Sequence, residues 1–543
     1  MAFEDVRSND AADRRMYDVL IVGAGFAGLY ALHRMRELGF SAKVLEAGRG
    51  IGGTWYWNRY PGARCDFESL QYSYSFSNEI QQDWEWTERY ASQPEILKYI
   101  EFVAAKLDLH RDIELDTRVE RLDYEADGPR WIVSTPREQL EAQFVVMATG
   151  VLSIPLEPSI PGLESFSGPV YRTSRWPHNQ VDFRGKEVGL IGTGSSGIQI
   201  APVLATEVEH LTVFQRTPNY SIPAHNHPLS PDVVRQWKAE YPQRRKAARL
   251  TRNFSLNDAG TALGRDATFE EREREFERRW RETGGIGFMY AFPDISLDVS
   301  VNEHASEFVR RKIRGIVRDP QVANVLCPPD YGIGGKRICV DSGYFEIFNR
   351  PNVTLIDIKK DPIEAVTPTG VKTRSREVLL DALVLALGFD AMSGALLKID
   401  IRGRDGMSLR DCWKEGPKTY LGIMIAGFPN MFVVTGPGSP SVFANMVTSI
   451  EQHVEWIRNC MKFLRERGNK SIEAMMQAQE EWFAHVNEVG SRTALARANN
   501  SWYVGANVPG KPRVVMPYMG GAVQYEEICN KVAADDYRGL RRE

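Results

Sequence analysis

Two glycine triplets of identical spacing, Gly23-x-Gly25-x-x-Gly28 and Gly192-x-Gly194-x-x-Gly197, are the features of this chain best suited to holding a reactive group. In such a turn the first glycine permits the tight bend and the second lets a pyrophosphate approach the backbone. The third lets the following helix pack closely on the strand before it. Thr193, Ser195 and Ser196 add hydroxyls to the second triplet. The residue that closes the next strand then reads the sugar. After the first triplet it is Glu46, 18 residues beyond Gly28, whose carboxylate can accept hydrogen bonds from both ribose hydroxyls. That site therefore takes an adenosine with a free 2′-OH, as FAD or NAD. After the second triplet the chain reads Phe214-Gln215-Arg216-Thr217-Pro218, with Arg216 lying 19 residues after Gly197 and no carboxylate. A guanidinium and a neighbouring hydroxyl hold a 2′-phosphate that a carboxylate would repel. NADPH is thus favoured over NADH, and Lys336 is a candidate second cation on that phosphate.

Strand, turn, helix and strand must surround each triplet. Residues 17–22 read as a buried parallel strand, 29–38 as a helix ended by Gly39, and 42–45 as the next strand. Residues 187–191, a helix running to Leu204, and 211–214 repeat the plan. Two such units define an α/β chain of two Rossmann-like dinucleotide-binding domains. FAD is assigned to the first by analogy with two-dinucleotide flavoproteins. Gly52-Gly53-Thr54-Trp55 follows the acidic residue, and Ala148-Thr149-Gly150 closes a later strand over 144–147. Trp55, Tyr56, Trp57 and Tyr60 could cover a flavin ring or serve as core packing.

The expected organisation is interleaved. Residues 1–150 form the first part of the FAD-binding domain and 151–222 the first part of the NADP-binding domain. A charge-dense helical insertion over 223–330 follows, in which 270–281 reads as a solvated helix face. Residues 331–385 return to the NADP-binding domain. Residues 386–543 complete the FAD-binding domain and supply C-terminal substrate and cofactor loops, with helices expected over 450–467 and 472–486.

Composition sets limits. A chain of 543 residues exceeds one ordinary core. A net charge of −4 gives no basic field for nucleic acid or anionic membranes, so neither is an expected partner. Residues 1–15 are polar, and no apolar stretch approaches the roughly 20 residues a bilayer requires, so a cytoplasmic protein is expected. The six cysteines (Cys65, Cys327, Cys339, Cys412, Cys460, Cys529) form no C-x-x-C pair, which supports neither a metal site nor a redox dithiol.

Between the triplets stands Phe166-Ser-Gly168-Pro-Val-Tyr-Arg172-Thr-Ser-Arg-Trp176-Pro177. It resembles the Baeyer–Villiger monooxygenase fingerprint F-x-G-x-x-x-H-x-x-x-W-P. The resemblance extends through GGTWYWNRYPGARCD (52–66), GTGSSG (192–197), FQRTPNY (214–220), GGKR (334–337), ALGFD (386–390), GPGSPS (436–441) and NNSWYVGANVPGKPR (499–513). The C-terminal motifs look most like the phenylacetone monooxygenase branch. Two positions depart from the pattern: Arg172 stands for His, and Leu387 for Thr. The fingerprint histidine is thought to link the NADP and flavin domains rather than to do chemistry. Activity is therefore expected to survive, with altered coupling.

The resemblance implies an FAD-containing, NADPH- and O₂-dependent enzyme that turns ketones into esters or lactones through an anionic C4a-peroxyflavin. An anionic oxidant and a developing oxyanion in a dry pocket require a fixed cation. Arg337 matches the family's active-site arginine, and Asp66 the carboxylate that holds it. Trp55 would hydrogen-bond near the flavin and Trp502 would sit against the nicotinamide. Thr54, Cys65, Phe67, Ser441, Phe443 and Met446 fall where the family lines its substrate pocket. The oligomeric state stays open, with a monomer compatible. The alternatives are a flavin S- or N-oxygenase, an uncoupled NADPH oxidase and a non-catalytic FAD/NADPH-binding protein.

Overall fold

Val19, Leu20 and Ile21 are fully buried in the strand Met16–Val22, because this strand lies at the centre of a sheet with both faces covered. In the computed structural model, which describes residues 14–497 and 501–543, it pairs in parallel with Ala42–Leu45 on one side and Gln139–Met147 on the other. The reading of residues 1–13 and of Asn499 and Asn500 in the C-terminal motif lies outside the described residues. Beyond Gln139–Met147 come two antiparallel strands, Arg130–Ser134 and Arg121–Glu125. Asp400–Arg402 and Met431–Val433 then join the same sheet in parallel from the far end of the chain. The helix Phe26–Glu37 covers one face, packed against the long helix Met446–Arg467.

A second, all-parallel sheet runs in the order Val353–Asp357, His210–Gln215, Glu187–Ile191, Ala382–Leu385, Val170–Arg172. The chain leaves the first sheet once and returns once. The two passages lie side by side: Leu156 donates to the Gly388 carbonyl at 3.0 Å, Asp390 to Ile154 at 2.8 Å and Met392 to Val151 at 2.9 Å. Arg172 ends the edge strand beside them, and its Nη1 donates to Glu157 at 2.7 Å. The fingerprint departure thus ties the second sheet to the first passage by an ion pair. Glu157 is largely exposed, so the pair contributes at most about 1 kcal/mol.

Helices Pro231–Arg249, Phe269–Arg278, Val299–Ile316 and Pro320–Leu326 form the insertion. Two expectations need correction. The charged run is not wholly solvated, since Phe276 and Arg279 are buried. Phe276 packs on Phe288 and Phe308, and Arg279 Nε donates to Glu275 at 2.6 Å, which compensates its charge. Residues 472–474 are a strand rather than a helix start. Ile472–Ala474 pairs antiparallel with Leu540–Arg542 at the chain's end, and the helix begins only at Met476. Among the described residues no helix is long and apolar enough to cross a membrane.

Candidate active site and nucleotide sites

Both triplets adopt the geometry a pyrophosphate needs. Gly23 and Gly192 have φ of +106° and +109°, a region open to glycine. A Cβ on Gly28 would lie 1.8 Å from the Gly23 carbonyl oxygen, and one on Gly197 2.1 Å from that of Gly192. The helices Phe26–Glu37 and Ser195–Glu207 start at Gly25 and Gly194, and no side chain caps either of them. Their first N–H groups are therefore left for an anion. A Cβ on Gly194 would meet nothing, so the approach to that turn is open.

Glu46 is buried and locked in place. Its Oε2 accepts from the Ala24 N–H and its Oε1 from the Gly48 N–H, both at 2.7 Å. Burial raises its pKa and the two N–H donors oppose that rise. Each oxygen keeps a further lone pair for a ribose hydroxyl, so the first site fits the adenosine half of FAD. Gly53, at φ +53°, brings its loop within 3.0 Å of the Gly25 Cα, measured from an added Cβ. Thr54 is exposed and opens the short helix Thr54–Trp57. The Trp55 indole is buried, and its N–H donates to the Tyr72 hydroxyl at 3.2 Å. Trp55 therefore holds Tyr72, a residue the sequence did not single out.

At the second site Thr193 Oγ1 donates to the Thr217 carbonyl at 3.1 Å, which fixes the turn against the strand end. Ser195 lies 3.5 Å from the Cys339 thiol, and Ser196 is half-buried. Arg216 is exposed, while Lys336 is half-buried with its ammonium 5.0 Å from the centre of the Tyr331 ring. Burial first, then Arg216 and Lys359, lower the Lys336 pKa to about 8. An ammonium whose charge is disfavoured by neighbouring cations suits a dianion placed among them. One prediction follows. The preference for NADPH over NADH should be greatest below pH 8 and fall as pH rises through it, because Lys336 loses its proton. The KM ratio should drop about tenfold between pH 6.5 and 9.5, a charge-assisted contact being worth roughly 1.5 kcal/mol or more. Lys336→Met should show a lower ratio that no longer changes with pH, and a persisting slope would remove Lys336 from the site.

Arg337 stands between the two sites. It grips Asp66 through two parallel bonds, Nε to Oδ2 at 2.6 Å and Nη2 to Oδ1 at 2.8 Å, the planar fork that lysine cannot make. Nη1 donates to the Val442 carbonyl. Burial works against the guanidinium charge, but Asp66 and Tyr503 outweigh it and hold the pKa above its ordinary value. Cys65 and Phe67 are buried on either side of Asp66. Ser441 is buried in the short turn Ser441–Phe443, at φ +42°. Phe443 lies 4.4 Å from Tyr503 between ring centres, and Trp502 lies 4.2 Å from the same ring. Met446 is the first residue of the Met446–Arg467 helix. Phe443, Met446 and Trp502 border an apolar cluster of Val151, Met392, Val442, Leu495 and Met516.

The structure thus brings Arg337, Asp66, Ser441, Phe443 and Trp502 together, and keeps Arg216 and Lys336 as a separate cationic pair. Sequence reasoning missed Tyr503, one residue from Trp502. It also missed Tyr290, which the insertion contributes beside Arg337 and which hydrogen-bonds Asn253. The all-apolar strand context that flags a core gives no such signal for an aromatic in a loop. Among the described residues no group of three His, Cys, Asp or Glu side chains could hold a metal, and the six cysteines are free thiols.

A mixed sheet and a parallel one, each with a strand that runs into a glycine turn, with a buried carboxylate beside the first turn and cations beside the second, fit an FAD- and NADPH-dependent oxidoreductase. Residues 20–255 match the family model described as pyridine nucleotide-disulphide oxidoreductase. The acetone monooxygenase (methyl acetate-forming) of Gordonia sp. (strain TY-5) is 39% identical, over 96% of this chain and 98% of its own. A Baeyer–Villiger monooxygenase of Pseudooceanicola batsensis is 40% identical, over 97% and 96%. The phenazine N-monooxygenase PhzNO1 of Lysobacter antibioticus is 38% identical, over 97% of each chain. The solved structure of an oxidized steroid monooxygenase bound to NADP superposes with a TM-score of 0.93 at 48% identity, covering 97% of this chain and 99% of that one. The chain belongs to the Baeyer–Villiger flavin monooxygenase family, as a flavoprotein that uses FAD and NADPH.

Proposed function

We propose that this enzyme inserts oxygen beside the carbonyl of an apolar ketone, and that Arg337, clamped by Asp66, is the group that makes the insertion efficient. The observation that carries this reading is a bidentate ion pair facing an apolar cluster between two nucleotide sites. FAD would lie along the first glycine turn, with Glu46 on its ribose and Gly53, Thr54 and Trp55 lining its path. NADPH would lie along the second, held by Gly192 to Gly197 and, at its 2′-phosphate, by Arg216, Thr217 and Lys336. The bound flavin, reduced by NADPH, supplies the activated oxygen drawn from O₂.

The chain's own part is electrostatic and steric. Arg337 keeps a positive charge where negative charge develops on the substrate oxygen, in a water-poor setting that strengthens the interaction. Asp66 fixes the orientation of that charge. Cys65, Phe67, Ser441, Phe443 and Met446 would shape the pocket for an apolar ketone, with Thr54 at its exposed rim. Trp502 would close on the nicotinamide. The interleaved domains expected at 1–150, 151–222, 223–330, 331–385 and 386–543 are supported by the single departure from the first sheet and single return to it. Six free thiols and a demand for NADPH suit a cytoplasmic location.

The test is to incubate the yellow protein with NADPH and a panel of acyclic, cyclic, aryl and steroidal ketones. Esters and hydrogen peroxide are quantified together. Esters accompanying NADPH loss support the proposal, and the ketones consumed describe the pocket. The 38%-identical phenazine N-monooxygenase favours one second reading, N-oxygenation of a heteroaromatic amine. N-oxide from an added phenazine, with no ester from any ketone, would establish it instead. Peroxide alone in wild type, converted to ester by Arg172→His, would locate the loss of coupling at the Arg172–Glu157 pair.

A further inference from the structure

Five consecutive residues of the insertion, 252–256, lie against the stretches of chain that carry the proposed substrate pocket, yet none of them belongs to its lining. The Arg252 carbonyl accepts from the Ala522 N–H at 2.6 Å, and the Asn253 carbonyl from the Asn445 N–H at 2.9 Å. Phe254, buried and left-handed at φ +54°, packs against Ala444 and Ala522. Ser255 and Leu256 turn to Gln71. The Gln71 side-chain oxygen accepts from the Leu256 N–H at 2.6 Å and from the Ser255 hydroxyl at 3.2 Å. Its side-chain nitrogen donates to the Leu256 carbonyl and to Glu68 Oε2, both at 3.1 Å. Both ends of the amide are in use, so a flipped orientation would set donor against donor. The Gln71 main chain completes the joint. Its carbonyl accepts from Asn445 Nδ2 at 2.7 Å and from Arg245 Nη1, on the helix Pro231–Arg249, at 3.0 Å. Asn445 also caps the helix Met446–Arg467, its Oδ1 accepting from the Val447 N–H at 3.1 Å. Gln71 and Asn445 are both buried, so a lost partner would leave a polar group unpaired.

We infer that Gln71 and Asn445 are positioning residues: together they clamp the insertion segment 252–256 to the turn 443–446, and so set where the wall made by Phe443 and Met446 stands. The inference rests on the proposed pocket and extends it to residues outside the proposed lining. Phe443 and Met446 flank the pair Ala444-Asn445. Phe254 backs Ala444, while Asn253 holds Asn445 at its N–H and Gln71 holds it at its side chain. The backbone that carries the two apolar side chains is thereby fixed between them. An apolar wall sorts substrates by size only while it stays in place, because a surface that yields admits the larger one. The insertion thus acts on specificity from behind the wall, through Gln71, rather than by a side chain of its own in the pocket.

Asn445→Ser separates the clamp from the helix cap, because serine caps as well as asparagine does but has no amide to donate to Gln71. Arg245 still satisfies the Gln71 carbonyl. FAD content and Tm should match wild type, while amide hydrogen exchange of peptides covering 443–447 rises at least fivefold. Gln71→Met keeps the length of the side chain without its amide. It should raise exchange over 254–257, where its bonds are lost, and also over 443–447, which its side chain does not touch. Turnover is then read on a size series of whichever substrate class the panel identifies. Discrimination between the largest and the smallest member should fall about tenfold in both variants, through KM, with flavin reduction by NADPH unchanged. Wild-type exchange over 443–447 in either variant overturns the inference, as does unchanged size discrimination despite faster local exchange. A lowered Tm with faster exchange throughout the chain in Asn445→Ser also overturns it, because the pair is then only a structural support. The exchange measurement needs no substrate, so a panel that yields no ester defeats the ketone reading while the clamp is still decided at 443–447.

Discussion

Arg337→Ala is expected to leave reduction of the flavin by NADPH within about twofold of wild type while ester formation falls by about 10²- to 10³-fold, the usual consequence of removing one preorganised group from a site of developing negative charge. The separation follows from geometry. In the proposed placement, hydride delivery would depend on the second glycine turn and on Arg216 and Lys336, which would meet the far end of NADPH. The Arg337 guanidinium points away from them into the Asp66 fork. Oxygen would still react with the reduced flavin, so NADPH consumption should continue and appear as hydrogen peroxide. Stopped-flow absorbance gives the reduction rate, and chromatography gives the ester. Arg337→Lys should fall between the two, since an ammonium keeps the charge but cannot make the planar double bond to Asp66. A normal ester yield from Arg337→Ala would remove this residue from the chemistry altogether. A collapse of reduction along with ester formation would mean instead that Arg337 serves nicotinamide placement.

What the sequence made legible was local. The glycine turns, their strands and Glu46 follow from spacing within stretches of about 30 residues, and they appear where that spacing put them. Arg337 and Asp66 lie 271 positions apart, and only a resemblance to a known family joined them. Contacts of the third kind had no signal of either sort. Tyr503 lies in a loop, and a loop tyrosine is as readily packing as function. Tyr290 belongs to an insertion whose charge density reads as solvated surface, yet the insertion folds back to put this residue beside Arg337. Ile472–Ala474 has helical neighbours on both sides, so its pairing with the last residues of the chain cannot be read from its own composition. Arg279 fails for the same reason: its burial is matched by a glutamate one turn away and by the Gly287 carbonyl, which returns beside it after the next turn. The sequence leaves Trp55 open between covering a flavin ring and core packing, and its hydrogen-bond partner depended on where Tyr72 returned in space.

Alanine at the third glycine of each turn should separate the two cofactors. In Gly28→Ala the new methyl would lie 1.8 Å from the Gly23 carbonyl oxygen, a backbone atom in a turn that already needs φ of +106°. No side chain can move aside there. The helix must lift from the strand, and the N–H groups that would meet the FAD pyrophosphate lift with it. The expected product is a colourless or nearly colourless protein. In Gly197→Ala the clash is 2.1 Å with the Gly192 carbonyl oxygen, and the same argument applies to the other ligand. FAD should remain bound at wild-type stoichiometry, while the rate of flavin reduction at a fixed, subsaturating NADPH concentration falls by about 10²-fold, a misplacement of roughly 1 Å being enough for that. Gly315→Ala supplies the control. It lies in the helix Val299–Ile316, where an added Cβ meets nothing within 4 Å, and it should stabilise the protein by about 0.5–1 kcal/mol through helix propensity alone. The visible absorbance of the purified variants and their stopped-flow reduction rates are sufficient to decide. Gly28→Ala with a full complement of FAD would sink the assignment of the first turn. Loss of FAD from Gly197→Ala would show that the two sheets do not bind their ligands independently, and the cofactors would then have to be reassigned between them.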